Sequence, residues 1–338
     1  MYIGCRGGKE MASKRHALLL LLILFLAMFL IPLAALGSKA GMQELHLTAP
    51  QNRRTASGTS FHIKDTSTGN IITVNDNDFL PGAIAAEMSP EAPAEALKAQ
   101  GVAAYTYYSR LREKNRKSPD SSLGGADFAA DIANWNLFVT EDAMKKRWGT
   151  NYEKYHSALA SAADSVFGQT MKYNGQLIDA TYFAISSGNT EDAVDVWGSK
   201  CPYLISVASP WDTLAGGYQT TAAFSDDDFR TRLVKISPKA NLSGASSGWV
   251  GEIKTSPSGT VKTIVIGGQT LTGGQIRSSF GLRSAAFTVS HGDKGFSFTV
   301  KGYGHGVGMS QVGAEAMARS GATYKEILAW YYPGTVLV

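Results

Sequence analysis

Every second residue of Gly302-Tyr303-Gly304-His305-Gly306-Val307-Gly308 is glycine, and Met309-Ser310-Gln311 comes directly after. No ordinary strand tolerates this. Glycine loses the most freedom on ordering and offers no side chain to pack. The pattern predicts a backbone that turns tightly and lies close to something large and flat. A histidine within such a run could bind a hydroxyl, hold a neighbour or transfer a proton.

The other end of the chain constrains where it works. Residues 17–36 form an uncharged apolar run of 20 residues, enough to span roughly 30 Å of hydrocarbon as a helix. Arg6, Lys9, Lys14 and Arg15 precede it. The positive-inside rule keeps residues 1–16 as a cytoplasmic tail and exports the chain from about residue 38 onward. The rival is a cleaved signal peptide, for which Ala35 and Gly37 could serve a peptidase, but such apolar regions are usually only about 7–15 residues long. The run therefore reads as an uncleaved transmembrane anchor. Most of the chain's net charge of +4 sits in the tail, so the exported part gives no reason to expect nucleic acid. The two cysteines, Cys5 and Cys201, fall on opposite sides of the membrane and cannot pair. The exported part must be held by its own core, which roughly 300 residues can build.

Residues 37–60 are small and polar and read as a linker. Short strands are expected at 61–65 and 71–74. A short helix opened by Asp78 should end at Glu87. Pro93 fits the first position of a long helix, 93–113, with Leu97, Gly101, Ala104, Tyr108 and Leu111 on one face. Residues 117–139 read mostly as loop, then 140–148 and 152–166 as helices. Residues 171–173 and 177–185 read as a hairpin around Asn174-Gly175. Ser225 should cap a helix, and the Ser/Gly/Pro-rich stretch 237–260 reads as a mobile insertion. Strands are expected at 261–266, 287–290 and 296–300, with a helix over 272–280. Ser310 and Thr323 should each start a helix, the second ended by Pro333-Gly334. Residues 61–338 thus read as an α+β region of mixed helices and short antiparallel strands forming a cleft, preceded by one transmembrane helix.

Glu87 stands between Ala85-Ala86 and Met88. Apolar surroundings raise a carboxyl pKa toward neutrality and make it a usable proton donor. Glu91 and Glu95 suit structural roles at the start of the long helix. His62, His156, His291 and His305 are far apart, and no CxxC or HxxxH pair exists, so no metal ion or other cofactor is expected. No G-x-S-x-G is present for serine chemistry. Tyr182, Trp197, Tyr203, Trp211, Tyr303, Trp330 and Tyr331 could stack on sugar rings or pack in a core.

Four ordered blocks carry a resemblance. They are Ala86-Glu87-Met88 with Glu95–Gln100 and Val102-Ala103-Ala104; Ser187-Gly188-Asn189-Thr190-Glu191 with Val196-Trp197-Gly198 and Pro202-Tyr203-Leu204; Phe280–Ser284 with Phe287; and Gly302–Ala314 through Tyr331–Thr335. Over residues 61–338 the chain resembles the stage II sporulation protein D family. The resemblance implies a membrane-anchored lytic transglycosylase that cleaves peptidoglycan glycan strands stripped of stem peptides, during engulfment in sporulation. It implies a cell-wall amidase and a third membrane protein as partners. It assigns the catalytic role to Glu87 and substrate contacts to Tyr105, Ser187, Tyr303, His305 and Gln311. Tyr105 stands where the family usually has an arginine that assists at the active site, and tyrosine can replace its hydrogen bond but not its charge. The alternative is a non-catalytic glycan-binding protein, since related amidase enhancers share the glycine block.

Overall fold

The computed structural model describes residues 59–338. The expected tail, the anchor at 17–36 and nearly all of the linker lie outside the described residues. No described helix is long and apolar enough to cross a membrane.

Strands β1 (Ser60–Asp65) and β2 (Ile71–Asn75) form a hairpin, and β3 (Phe128–Ala130) joins β1 on its other side in parallel. Helix α1 (Asp76–Glu87) comes directly after β2, with Asp76 and Asp78 at its positive end. Pro81 forfeits one helical hydrogen bond. The helix persists because Phe79, Leu80, Ala83, Ile84 and Ala85 are all buried. Gly82 is required by close approach: a Cβ there would lie 2.5 Å from the Phe138 ring and the Val139 carbonyl. Helix α2 (Ala94–Lys117) packs along α1, and its last turn carries Lys114, Arg116 and Lys117, which favour the negative end of the helix. Helices α3 (Glu141–Trp148) and α4 (Tyr152–Val166) complete this side.

The expected second hairpin is only partly present. Strands β4 (Met171–Tyr173) and β5 (Gln176–Leu177) turn at Asn174-Gly175, but β5 stops after two residues. Strand β6 (Tyr182–Phe183) instead runs parallel to a segment more than a hundred residues later. The strands are thus not all antiparallel. A short helix, α5 (Ala193–Trp197), precedes a second apolar core.

That second core is built from β7 (Gln219–Phe224), α6 (Asp226–Ile236), β8 (Val250–Thr255), β9 (Val261–Ile266), β10 (Gln269–Thr272), α7 (Gly273–Phe280), β11 (Phe287–Gly292) and β12 (Gly295–Lys301). It has two three-stranded sheets, in the orders β10-β9-β8 and β11-β12-β7. The stretch 237–260, expected as a mobile insertion, supplies β8. Val250 and Ile253 pair with β9, and Trp249 is buried against Phe296. Its Ser, Gly and Pro residues flank the strand and conceal it. The chain then returns to the first core through β13 (Met309–Ser310), α8 (Gln311–Arg319), α9 (Tyr324–Tyr331) and β14 (Val336–Leu337). Thr272 and Thr323 each close a capping box, with Gln275 and Glu326 respectively.

The alternating glycines mark this return. The run lies against residues 181–191 of the same chain, not against an open surface. Tyr303 and Ile185 exchange both backbone hydrogen bonds, Glu191 N–H donates to the Gly306 carbonyl, and Met309 N–H donates to that of Thr181. Gly302, Gly304, Gly306 and Gly308 all have left-handed φ, from +74° to +118°. A Cβ would lie 2.6 Å from the Phe183 Cβ at Gly304 and 2.0 Å from the Thr181 carbonyl at Gly308. Gly308→Ala should therefore cost clearly more than the ~1–2 kcal/mol of a left-handed alanine alone. Gly69→Ala, with similar φ and nothing within 4 Å, should cost only that much. Equal losses in chemical denaturation would refute steric contact as the reason for the pattern.

Candidate functional site

Glu87 is the last residue of α1, half-buried, with its carboxylate turned toward the start of α8. Gln311 is the first residue of α8, held there because the Ser310 hydroxyl accepts from Gly313 N–H at 3.2 Å. Its Nε2 donates to Glu87 Oε2 at 3.3 Å and to Gln100 Oε1 at 3.4 Å. Gln100 comes from α2 and is fully buried. Its own Nε2 has no hydrogen-bond partner, and the buried Tyr108 hydroxyl, two turns further along α2, faces the Tyr182 hydroxyl without a hydrogen bond of normal geometry. Burial raises the Glu87 carboxyl above its ordinary value of 4.5, and the Gln311 hydrogen bond opposes this only in part. Burial, with the Glu87 charge, also pushes up the phenols of Tyr108 and Tyr182. Burial thus favours the protonated form of Glu87 more than in a free carboxyl.

His305 and Ser187 meet at a different place. Both line a small, partly open recess with Asn189, Glu191, Thr260 and Lys301. The His305 ring lies 5.6 Å from Phe183 and 5.4 Å from Trp197, and its Nδ1 accepts from Val307 N–H at 3.1 Å. Burial and the Arg277 charge lower its pKa to about 4. It is neutral at physiological pH, with its remaining proton on Nε2 when Nδ1 accepts. The Ser187 hydroxyl donates to the Ser258 carbonyl at 2.8 Å. Glu191 is buried in the wall of this recess, and burial raises its pKa. Thr260 and Ser256 temper that rise, yet neither makes a hydrogen bond of normal geometry to its oxygens.

Tyr105 is placed elsewhere. It is buried, and its hydroxyl donates to Asp76 Oδ2 at 2.7 Å, beside the Arg112–Asp76 ion pair at 2.8 Å. Asp76 opens the helix that Glu87 closes, so the two ends are separated by about 16 Å of helix rise. The Tyr105 hydroxyl is thus tied to Asp76, and burial, with that carboxylate, pushes its phenol up to about 12. Tyr303 is 46% exposed, with the Arg283 guanidinium 4.3 Å above its ring. Trp197, Trp211 and Trp330 are similarly exposed, whereas Tyr331 is wholly buried and Tyr182 and Tyr203 are partly so. Glu91 accepts from the Tyr155 hydroxyl, and Glu95 ties Lys98 to the backbone N–H of Tyr324. Among the described residues, no group of three or more His, Cys, Asp or Glu side chains could hold a metal ion.

Gln100, Tyr108 and Glu191 were not singled out from sequence as site residues. Gln100 left one trace, as an amide set among Ala96, Leu97, Ala99, Val102 and Ala103 on a helix that buries them all.

A family model described as Stage II sporulation protein matches residues 64–173. The chain is 37% identical over 283 residues to Stage II sporulation protein D of Bacillus subtilis, covering 83% of this chain and 79% of that one. It is 33% identical to Stage II sporulation protein D of Bacillus amyloliquefaciens, covering 96% and 95%. The amidase enhancer of Bacillus subtilis is 30% identical over 76% of this chain and 40% of its own length.

The burial of Glu87 and Tyr105 has two measurable consequences. A carboxyl raised on folding favours the native state most below its unfolded pKa. That contribution is lost as pH rises through the folded pKa. Glu87→Gln should therefore gain stability relative to wild type above the folded pKa of Glu87, with the gain vanishing below about pH 4.5; urea titrations at several pH values check this. Tyr105→Phe should lose about 1 kcal/mol through its hydrogen bond, while a ¹³C-carboxyl titration of Glu87 stays unmoved.

Proposed function

We propose, from the premise that this chain belongs to the stage II sporulation protein D family, that it is a peptidoglycan lytic transglycosylase acting through Glu87. The observation that carries the reading is the Glu87 carboxyl at a helix end, held by the Gln311 amide and raised by burial. Ordinary glycosidases use two carboxylates. Formation of a 1,6-anhydro ring needs only one, because the sugar supplies the nucleophile. Protonated Glu87 gives its proton to the glycosidic oxygen as the C1–O bond breaks. The resulting carboxylate accepts the proton of the C6 hydroxyl as O6 bonds to C1. Atoms balance, and Glu87 is ionised only between the two transfers. The exposed rings of Trp197, Tyr303, Trp211 and Trp330 offer stacking faces for sugars. Neutral His305 acts as a fixed donor or support, not as a base at physiological pH.

The substrate in this reading is glycan already stripped of stem peptides, and the setting is engulfment during sporulation. The apolar run at 17–36 would hold residues 38–338 on the far side of the cell membrane. A wall amidase and a third membrane protein would be the partners. The second reading is a glycan-binding protein that stimulates an amidase, supported by the amidase-enhancer relative and by the exposed aromatic rings. The position of Tyr105 does not favour it, because that side chain lies at the far end of α1 from Glu87.

Digestion of peptide-free glycan, with the products read by mass spectrometry, separates the two. The wild-type chain should yield 1,6-anhydro ends. Glu87→Gln should bind the same glycan and produce these ends about 10²–10⁴-fold more slowly. Binding by both proteins with no anhydro ends from either would establish the second reading.

A further inference from the structure

The amide pair beside Glu87 holds a contradiction that points to motion. Gln311 directs both hydrogens of one NH₂ group outward, to Glu87 Oε2 and to Gln100 Oε1. That arrangement suits an ionised Glu87, which can only accept. It also leaves Gln100 Nε2, on a side chain with no solvent exposure, without an acceptor. An orphaned buried donor costs about 1–3 kcal/mol. An amide has nearly the same shape when its oxygen and nitrogen exchange places. If both amides turn over, Gln100 Nε2 donates to Gln311 Oε1, and that oxygen also accepts from a protonated Glu87. The orphaned Gln100 donor is satisfied, its oxygen, which tolerates incomplete pairing better, takes its place, and the Gln311 NH₂ group, on a partly exposed side chain, turns away from both former acceptors toward solvent.

We infer that Gln100 and Gln311 form a two-position amide switch whose two settings match the two protonation states of Glu87. Gln311 touches the acid in both settings. Gln100 never touches it and is a positioning residue that makes the turnover concerted. The inference rests on the transglycosylase reading only for its purpose, since an acid that must give a proton and then accept one needs support in both forms. The titratable groups that sense Glu87 from the packed elements are Tyr108 of α2 and Tyr182 of β6, both phenols held protonated by burial. No charged side chain contributes to the shift of Glu87. The amides are therefore left to answer the charge.

The test tracks side-chain amide ¹H–¹⁵N signals of the full-length protein through a pH titration. The Gln100 and Gln311 signals should move together at the midpoint of the Glu87 ¹³C-carboxyl signal, and neither should move there in Glu87→Gln. A Gln100 signal that stays flat while Glu87 titrates overturns the switch, whatever the protein's activity. In glycan digestion, Gln100→Met should lower kcat about three- to tenfold, the worth of one hydrogen bond, narrow the pH profile and leave KM unchanged. A Gln100→Met protein with wild-type kcat and pH profile also overturns it. A switch seen by NMR in a protein that forms no anhydro ends would sink the transglycosylase reading while leaving the switch standing.

Discussion

The main-chain contact between residues 302–309 and 181–191 is the constraint on which the rest of the molecule depends. It closes a chain that has left the first core, built a second one over roughly residues 219–301, and come back. Four left-handed glycines let two backbones approach to hydrogen-bonding distance where any Cβ would intrude. The same contact sets the position of Ser310, whose hydroxyl caps α8, and so delivers Gln311 to Glu87. The site is therefore assembled by elements more than two hundred residues apart, and its geometry is only as good as this seam.

At the site itself, burial competes with hydrogen bonding. Desolvation favours the neutral form of Glu87 and one amide favours the ionised form, with desolvation the stronger. The same burial leaves Gln100 Nε2 without an acceptor. Two other buried carboxylates are answered directly: Asp76 receives Arg112 and Tyr105, and Asp127 receives Arg116. An unpaired buried donor beside a carboxylate that lacks a cation concedes stability.

Much of the architecture was legible in local patterns. The long helix, the two capping-box helices, the Asn174-Gly175 turn and the strands at 261–266 and 296–300 are all found near their expected limits. Each rests on short-range physics: a period, a cap or a turn residue. The misses share a different cause. Strand β8 hides among loop-forming residues because pairing with β9, not composition, makes it a strand. Residues 178–185 do not continue β5, because Tyr182 and Phe183 pair with Met309 and Ser310.

The sequence alone determined that the chain had an acid in an apolar setting and a glycine seam near residue 305, because these are properties of residue type and spacing. It also carried the family resemblance. Only the tertiary structure decided what those residues meet. It set the glycines against the chain's own backbone, where a flat partner had been expected, because close approach is a relation between two distant segments. It sent Tyr105 to the opposite end of α1, because on a helix a side chain's reach depends on what packs across from it. It brought Gln100 to Gln311, whose pairing no spacing could disclose, since a buried amide acquires meaning only from the group it faces.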